Sequence, residues 1–205
     1  MKPLVIGVTG YARHGKGEVA KVLVEEHGYT EMQFSGQLKA MALKLNPYVL
    51  VEESGEDFYL RLSRLIEMAG GSWDTVKRHS EVRRILQVLG TECVRDMIGR
   101  DSWVRALEVR LEDDGYVMGH GTDTTWLEFL KPIVVSDVRF PNEAKWIQDY
   151  GKLILVKRPE FENGVDPQHP SEKMVQTLLA DHHISNNRGL EELRLTVRAY
   201  MLGFE

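Results

Sequence analysis

The chain has 205 residues, 42% of them hydrophobic and 28% charged, the proportions of one globular domain with a full core. Its formal net charge of −5 argues against a general DNA- or RNA-coating role, while leaving room for a local basic pocket that takes a small anion. The single cysteine, Cys93, excludes an intrachain disulfide and a cysteine-based zinc site within one chain, and fits a reducing cytoplasm.

No apolar stretch approaches the roughly 20 residues that a membrane helix needs. The N-terminal run "PLVIGVT" is short and ends in a glycine loop rather than a small-residue cleavage site, so it reads as a buried strand and not as a signal peptide. Residues 16 to 27 place Val19, Val22, Leu23 and Val24 on a helical stripe, with Gly28 as the stop. "YTEMQFS" reads as a second strand. From 36 to 110 the pattern is helical throughout: "QLKAMALKLN" stops before Pro47, "DFYLRLSRLIEMAG" carries Leu60, Leu62, Leu65, Ile66 and Met68, and "SEVRRILQVLGTECVRDMIG" and "RDSWVRALEVRLEDD" follow. These helices are expected to cap the sheet edge. Residues 112 to 130 are polar and glycine-rich and suit a variable loop or a hairpin. "PIVVSDV" is a further buried-type strand, a short helix spans Asn142 to Tyr150, and "KLILVKR" is a fourth strand. The proline-rich "PEFENGVDPQHPSE" suits a mobile loop, "SEKMVQTLLA" a helix, "HHISN" a last short strand and "GLEELRLTVRAYML" the closing helix.

Three constellations carry chemistry. The first is Gly10-x4-Gly15-Lys16 directly after a strand and at the start of a helix. Glycines let main-chain N–H groups turn inward around a phosphate, the helix presents its positive end, and lysine adds a mobile charge. Gly10, Tyr11, Ala12, Arg13, His14, Gly15, Lys16, Gly17 and Glu18 are the candidate nucleotide-binding residues. Gly17 stands where a Ser or Thr hydroxyl would meet magnesium, so the ion is expected to be held by nucleotide oxygens and waters. The second is "SDVRFPNE". Asp137 falls at the C-terminal end of a central strand, where ligands bind in open α/β sheets, and can orient metal-bound water; Arg139 can bridge transferring phosphates. The plainer readings are a turn cap before Pro141 and a surface ion pair. The third is Arg84, Gln87, Thr91 and Arg95, which share one face if the helix continues through Gly90. That face is either solvated or suited to a phosphate and a base edge. His169 and the pair His182-His183 do not read as a metal site, and Trp103 reads as buried among the helices.

"GYARHGKGE", "FSGQLKAMA", "RRILQVLGTECVRDMIGRDSWV", "SDVRFPNEAKWI" and "VKRP" with "HPSE" together resemble the deoxynucleoside monophosphate kinases of tailed bacteriophages. The resemblance runs in order from residue 4 to about 194, with 112–130 outside it. It implies an α/β P-loop NTPase fold of the nucleoside monophosphate kinase type, with a five-stranded parallel sheet, a helical substrate-binding insert and a lid. One kinase domain would fill residues 1–205: a core at 1–35, 131–158 and 173–205, the insert at 36–110, a variable loop at 111–130 and the lid at 159–172. The implied reaction is ATP plus a deoxynucleoside monophosphate (dNMP) giving ADP plus the diphosphate (dNDP), with Mg2+. Lys39, Arg84 and Arg139 would meet the substrate and transferred phosphates, with Gln87, Thr91, Arg95 and Asp137 nearby. Lys16, Arg139 and Arg158 would spread the charge of the moving phosphoryl group, with Arg158 at the lid's root. The family's loop commonly reads Gly-Lys-Asp-Thr, whereas this chain reads Gly-Lys-Gly-Glu. The expected partners are small molecules, not nucleic acid or a membrane. The reading allows a homodimer, and sets the reaction in a cytoplasm, that of the host bacterium if the chain is phage-encoded. The alternatives are a P-loop kinase for another small acceptor, such as dephospho-coenzyme A, and a nucleotide-binding protein without catalysis.

Overall fold

The computed structural model describes residues 2–53, 56–120, 125–128, 131–158 and 170–204. The proposed lid, 159–172, lies outside the described residues except for its last three, whose main chain alone is described. The chain divides into two compact units, Met1–Phe34 with Val104–Glu205, and Ser35–Trp103.

The first unit holds the five-stranded sheet expected from the sequence. Its strands are β1 (Val5–Thr9), β2 (Thr30–Met32), β7 (Ile133–Val138), β8 (Gly151–Lys157) and β9 (His182–Ser185), in the order β2-β7-β1-β8-β9. Every pair in it is parallel. All five residues of β1 are buried, which is why its sequence is a continuous apolar run and does not alternate. "YTEMQFS" contributes a strand of only Thr30–Met32. Helix α1 (Lys16–His27) ends at Gly28, which takes a left-handed φ of 76°. With α9 (Leu190–Leu202) it builds one core layer, in which Val19, Val22 and Leu23 join Ile6, Val8, Ile154, Leu193, Val197 and Met201. Helix α7 (Pro141–Tyr150) buries Ala144, Trp146 and Ile147, and the Trp146 indole donates to Glu108 Oε1 at 3.0 Å. β5 (Val117–His120) and β6 (Thr125–Glu128) pair antiparallel, the pairing of the hairpin that is one of the two forms expected; the helix before them, α6 (Ser102–Asp113), extends past the expected start of the variable loop.

The second unit departs from the expectation of helix throughout. Between α2 (Gly36–Leu45) and α3 (Leu62–Met68) lies an antiparallel hairpin, β3 (Tyr48–Glu53) and β4 (Glu56–Arg61). Only the second half of "DFYLRLSRLIEM" is helical. Along β3, Val49 and Val51 are buried while Tyr48 is exposed, the period of a half-buried strand. Arg61 lies opposite Tyr48 and stacks over its ring at 3.9 Å. Asn46 terminates α2 in a left-handed conformation, and its Oδ1 accepts the Ser63 amide at 2.9 Å. Val49, Val51, Leu62, Leu65, Val76 of α4 (Trp73–Val76), and Val82 and Leu86 of α5 (Ser80–Gln87) form this unit's own core. Helix α8 (Pro170–Val175), back in the first unit, is shorter than the sequence suggests.

Candidate active site

In the first unit the loop after β1 leaves the sheet at the C-terminal edge, between its neighbours β7 and β8. The chain passes from β1 toward β2 on one side and crosses from β7 to β8 on the other, so this is the switch point where open α/β sheets bind ligands. The loop conformation is set by residues that tolerate positive φ. Gly10 has φ 142° and Gly15 φ 104°, while Arg13 adopts φ 62°. A Cβ on Gly10 would stand 2.4 Å from the Val156 carbonyl oxygen, so the loop can pass this close to β8 only with glycine there. A Cβ on Gly15 would stand 2.7 Å from Asn186 Nδ2, a side-chain neighbour and not main chain, so this position is less strictly confined than Gly10.

Three attachments pin the loop. The Lys16 ammonium donates to the carbonyls of Gly10 at 2.7 Å and Tyr11 at 2.8 Å, folding back over the loop's mouth. His14 is buried; its Nδ1 accepts the Arg158 amide at 3.0 Å, and its carbonyl accepts Asn186 Nδ2 at 3.0 Å. Asn186 is in turn fixed by its own amide, which donates to Lys157 O at 2.7 Å. The sequence reading did not single out Asn186; its place directly after the last strand, in an Asn-containing turn, was the available signal.

Gly17 and Glu18 behave differently. A Cβ at Gly17 would meet nothing within 4 Å, so the missing hydroxyl leaves open space. Glu18 pairs with Arg194 of α9, Nε to Oε1 at 2.6 Å, which ties α1 to α9. Glu18 is thereby an anchor of the first helical turn, a role that its position beside the loop does not reveal.

On the neighbouring strand, Asp137 Oδ1 accepts the Phe34 amide at 2.9 Å, holding the segment after β2 against β7. The turn that follows is built on Glu143, which sequence reasoning passed over as an ordinary helix residue. Its carboxylate is buried and accepts the main-chain N–H groups of Arg139 at 2.7 Å and Phe140 at 3.0 Å. Burial pushes its pKa up to about 7, against the opposing pull of those two amides, and the Asp137 charge adds to the rise. The carboxylate fixes where Arg139 leaves the sheet and also caps α7. Thr9, at the end of β1, has a buried hydroxyl with no hydrogen-bond partner among the described residues.

In the second unit, Arg84, Gln87, Thr91 and Arg95 do lie on one continuous helical stretch, but not on α-helical spacing. After α5 the chain runs through a π-helical segment, Val88–Asp96, in which each turn takes an extra residue. The regular face that spacings of three and four imply is therefore not kept past Gln87. Gly90 is buried in this segment, where a Cβ would meet Leu38 Cδ2 at 2.8 Å; the wide turn thus packs directly on α2, the helix that carries Lys39. Trp103, buried as expected, donates its indole N–H to Gly90 O at 2.9 Å. Arg84 forms a two-pronged ion pair with Glu81, at 2.7 and 2.8 Å, on the surface. Arg95 donates to the Arg100 carbonyl at 3.1 Å.

Among the described residues no cluster of His, Cys, Asp or Glu is spaced to hold a metal ion.

A family model described as deoxynucleotide monophosphate kinase matches residues 43–197, beginning beyond the phosphate loop. The chain is 28% identical over 191 residues to a protein of Acanthamoeba polyphaga mimivirus whose name assigns it to the deoxynucleotide monophosphate kinases, covering 92% of this chain and 91% of that one. It is 25% identical over 160 residues to the deoxynucleoside-5′-monophosphate kinase of Escherichia phage T5, covering 75% of this chain and 52% of that protein. Among solved structures it is similar to TT1252 from Thermus thermophilus, with a TM-score of 0.49 and 20% identity over the whole of both chains. It is also similar to shikimate kinase from Aquifex aeolicus, with a TM-score of 0.46, 10% identity and coverage of 98% of this chain and 97% of that one.

Proposed function

The chain belongs to the deoxynucleotide monophosphate kinase family, and we propose that it moves the γ-phosphoryl group of ATP onto the phosphate of a deoxynucleoside monophosphate, giving ADP and the diphosphate. The observation that carries this reading at the site is the pinned loop after β1: Gly10 and Gly15 shape it at positive φ, and Lys16 folds back onto its carbonyls. Phosphoryl transfer asks little covalent chemistry of a protein; it asks for in-line placement and neutralisation of charge on the transferring oxygens.

The proposed roles follow. The loop amides and the N-terminus of α1 hold the ATP phosphates. Lys16 exchanges its two carbonyl partners for phosphate oxygens when nucleotide enters. Arg139 and Arg158 approach the transferring group, Arg139 from the turn that Glu143 fixes and Arg158 from the end of β8. Lys39 and Arg84 take the phosphate of the acceptor, with Gln87, Thr91 and Arg95 near its nucleoside. Magnesium, bound to ATP, supplies further charge neutralisation; Asp137 would hold one of its waters, because Gly17 offers no hydroxyl and Glu18 is committed to Arg194. The substrates are small molecules, and the cytoplasm of a bacterial host is the proposed setting, in keeping with the phage relative.

The test is an acceptor panel. Purified protein with ATP and magnesium should form ADP in proportion to added dAMP, dGMP, dCMP, dTMP or a hydroxymethylated form, and negligibly without one. Turnover with none of them, or with dephospho-coenzyme A instead, would overturn the reading.

A further inference from the structure

An anion cradle needs amides, glycines and a cation; nothing in that chemistry asks for a buried imidazole at its centre. His14 is nevertheless only 7% exposed. Its Nδ1 accepts the main-chain N–H of Arg158 across 144 residues of sequence, at 3.0 Å. A ring nitrogen that accepts carries no proton, so the bond requires the neutral ring with its hydrogen on Nε2. The His14 carbonyl takes the Asn186 amide group, and the Tyr11 ring meets the imidazole edge-on at 5.3 Å between centroids. One loop residue is thus fixed to the ends of two strands, and the point it grips on β8 is the main chain of Arg158.

We propose that His14 is a positioning residue for phosphoryl transfer: by holding the main chain at Arg158, it sets the reach of that guanidinium relative to the phosphate loop. The proposal rests on the role given above to Arg158. Its physical basis is geometric. Arg158 directly follows β8, and a long side chain delivers its charge reproducibly only if its own Cα is fixed to the frame that holds the substrate. A hydrogen bond directly from the phosphate loop supplies that frame. His14 itself need not touch a reacting atom.

The test compares two variants of matched shape. His14→Asn puts an amide oxygen close to where Nδ1 stands, whereas His14→Leu has nearly the same outline and no acceptor. Both are measured in the natural chain and with Arg158→Ala, after thermal melts have shown that each variant is folded at the assay temperature. The expected result is that His14→Asn keeps kcat within about threefold, while His14→Leu loses about tenfold in kcat with the dNMP KM little changed. With Arg158→Ala, the two His14 variants should become equal within about twofold, since His14 then has no guanidinium to position. An equal Asn-to-Leu difference in both backgrounds would overturn the proposal, because His14 would be acting on the loop alone. Equal turnover by Asn and Leu in the natural chain would overturn it as well. If the natural protein phosphorylates no dNMP, or Arg158→Ala alone leaves kcat unchanged, the underlying reading falls first and the proposal with it.

Discussion

The phosphate loop and the arginine-bearing stretch of the second unit hold their functional groups in opposite ways. In the loop, each group is tied down by the protein itself: Lys16 to two carbonyls, His14 to Arg158, and Gly15 close to Asn186. In the Ser35–Trp103 unit, the Arg84 side chain is 63% exposed and paired with Glu81, a surface interaction worth at most about 1 kcal/mol. A cradle for an anion must be rigid, because its amides are useful only when they point together. An arginine held only by a weak surface partner can be released from it at little cost. On the roles proposed above, the two regions therefore differ in what a substitution should do: losing the loop's charge should affect chemistry, crowding its confined glycine should also affect the fold, and a change at Arg84 should affect substrate affinity with little effect on stability.

The largest effect expected is that of Lys16→Ala, which should cut kcat by roughly 10²–10³, the scale for losing one preorganised charge at a transition state, while thermal melting shifts little. A parallel fall in melting temperature would mean that the lysine serves the fold and not the phosphates. Gly10→Ala should follow closely. Its Cβ would collide with the Val156 carbonyl, so the loop must move or the chain lose about 2–3 kcal/mol; ATP binding by calorimetry should weaken with it. Gly17→Ser, with open space around it, should leave the melt unchanged. If the two glycines tolerate substitution equally, the loop is not shaped as described.

The buried carboxylate behind Arg139 gives a pH prediction. The pKa of Glu143 is raised from 4.5 to about 7 by burial, so the folded chain favours its protonated form. The stability this group lends is present in full below about pH 4.5 and falls as pH rises through about 7, by up to roughly 3 kcal/mol. Glu143→Gln keeps an oxygen for the Arg139 and Phe140 amides but cannot ionise. Urea melts from pH 4.5 to 8 should show the natural chain losing stability relative to the glutamine variant, and parallel curves would refute the assignment.

Smaller still is Arg84→Ala. Its expected signature is a rise of about tenfold in the dNMP KM with stability unchanged within about 0.5 kcal/mol, since the lost ion pair is exposed. A stability loss without a KM change would place Arg84 among structural residues. Thr9→Val should have the smallest effect of the series. Replacing a buried, unpartnered hydroxyl by a methyl of the same shape should raise stability by up to about 1 kcal/mol. A weakening of ATP binding would instead show that this hydroxyl serves the nucleotide.

The parts of this architecture that sequence reveals are those with local causes. β1, β7 and β8 are buried on both faces, so each prints an apolar run, and Gly10-x4-Gly15-Lys16 directly after β1 announces the cradle. The β3–β4 hairpin does not announce itself because its outer side is also apolar: Tyr48 and Tyr59 are 58% and 66% exposed. Alternation is blurred, and Leu60, Leu62, Leu65 and Ile66 happen to fall at helical spacings. The π-helical segment at Val88–Asp96 is equally invisible: the close approach of Gly90 to Leu38 joins it to another helix, and the local spacing shows neither. The attachments that organise the site, His14 to Arg158, His14 to Asn186 and Glu18 to Arg194, join residues more than 140 positions apart. No local pattern encodes them.

The most direct measurement follows the phosphoryl group itself. ATP labelled on its γ-phosphate is mixed with the protein, magnesium and the best acceptor of the panel, and the products are separated. The label should appear on a deoxynucleoside diphosphate in step with ADP, and should stay on ATP when Lys16 is alanine. Label released as inorganic phosphate, or transferred equally well by the alanine variant, would contradict the cradle as the seat of the reaction.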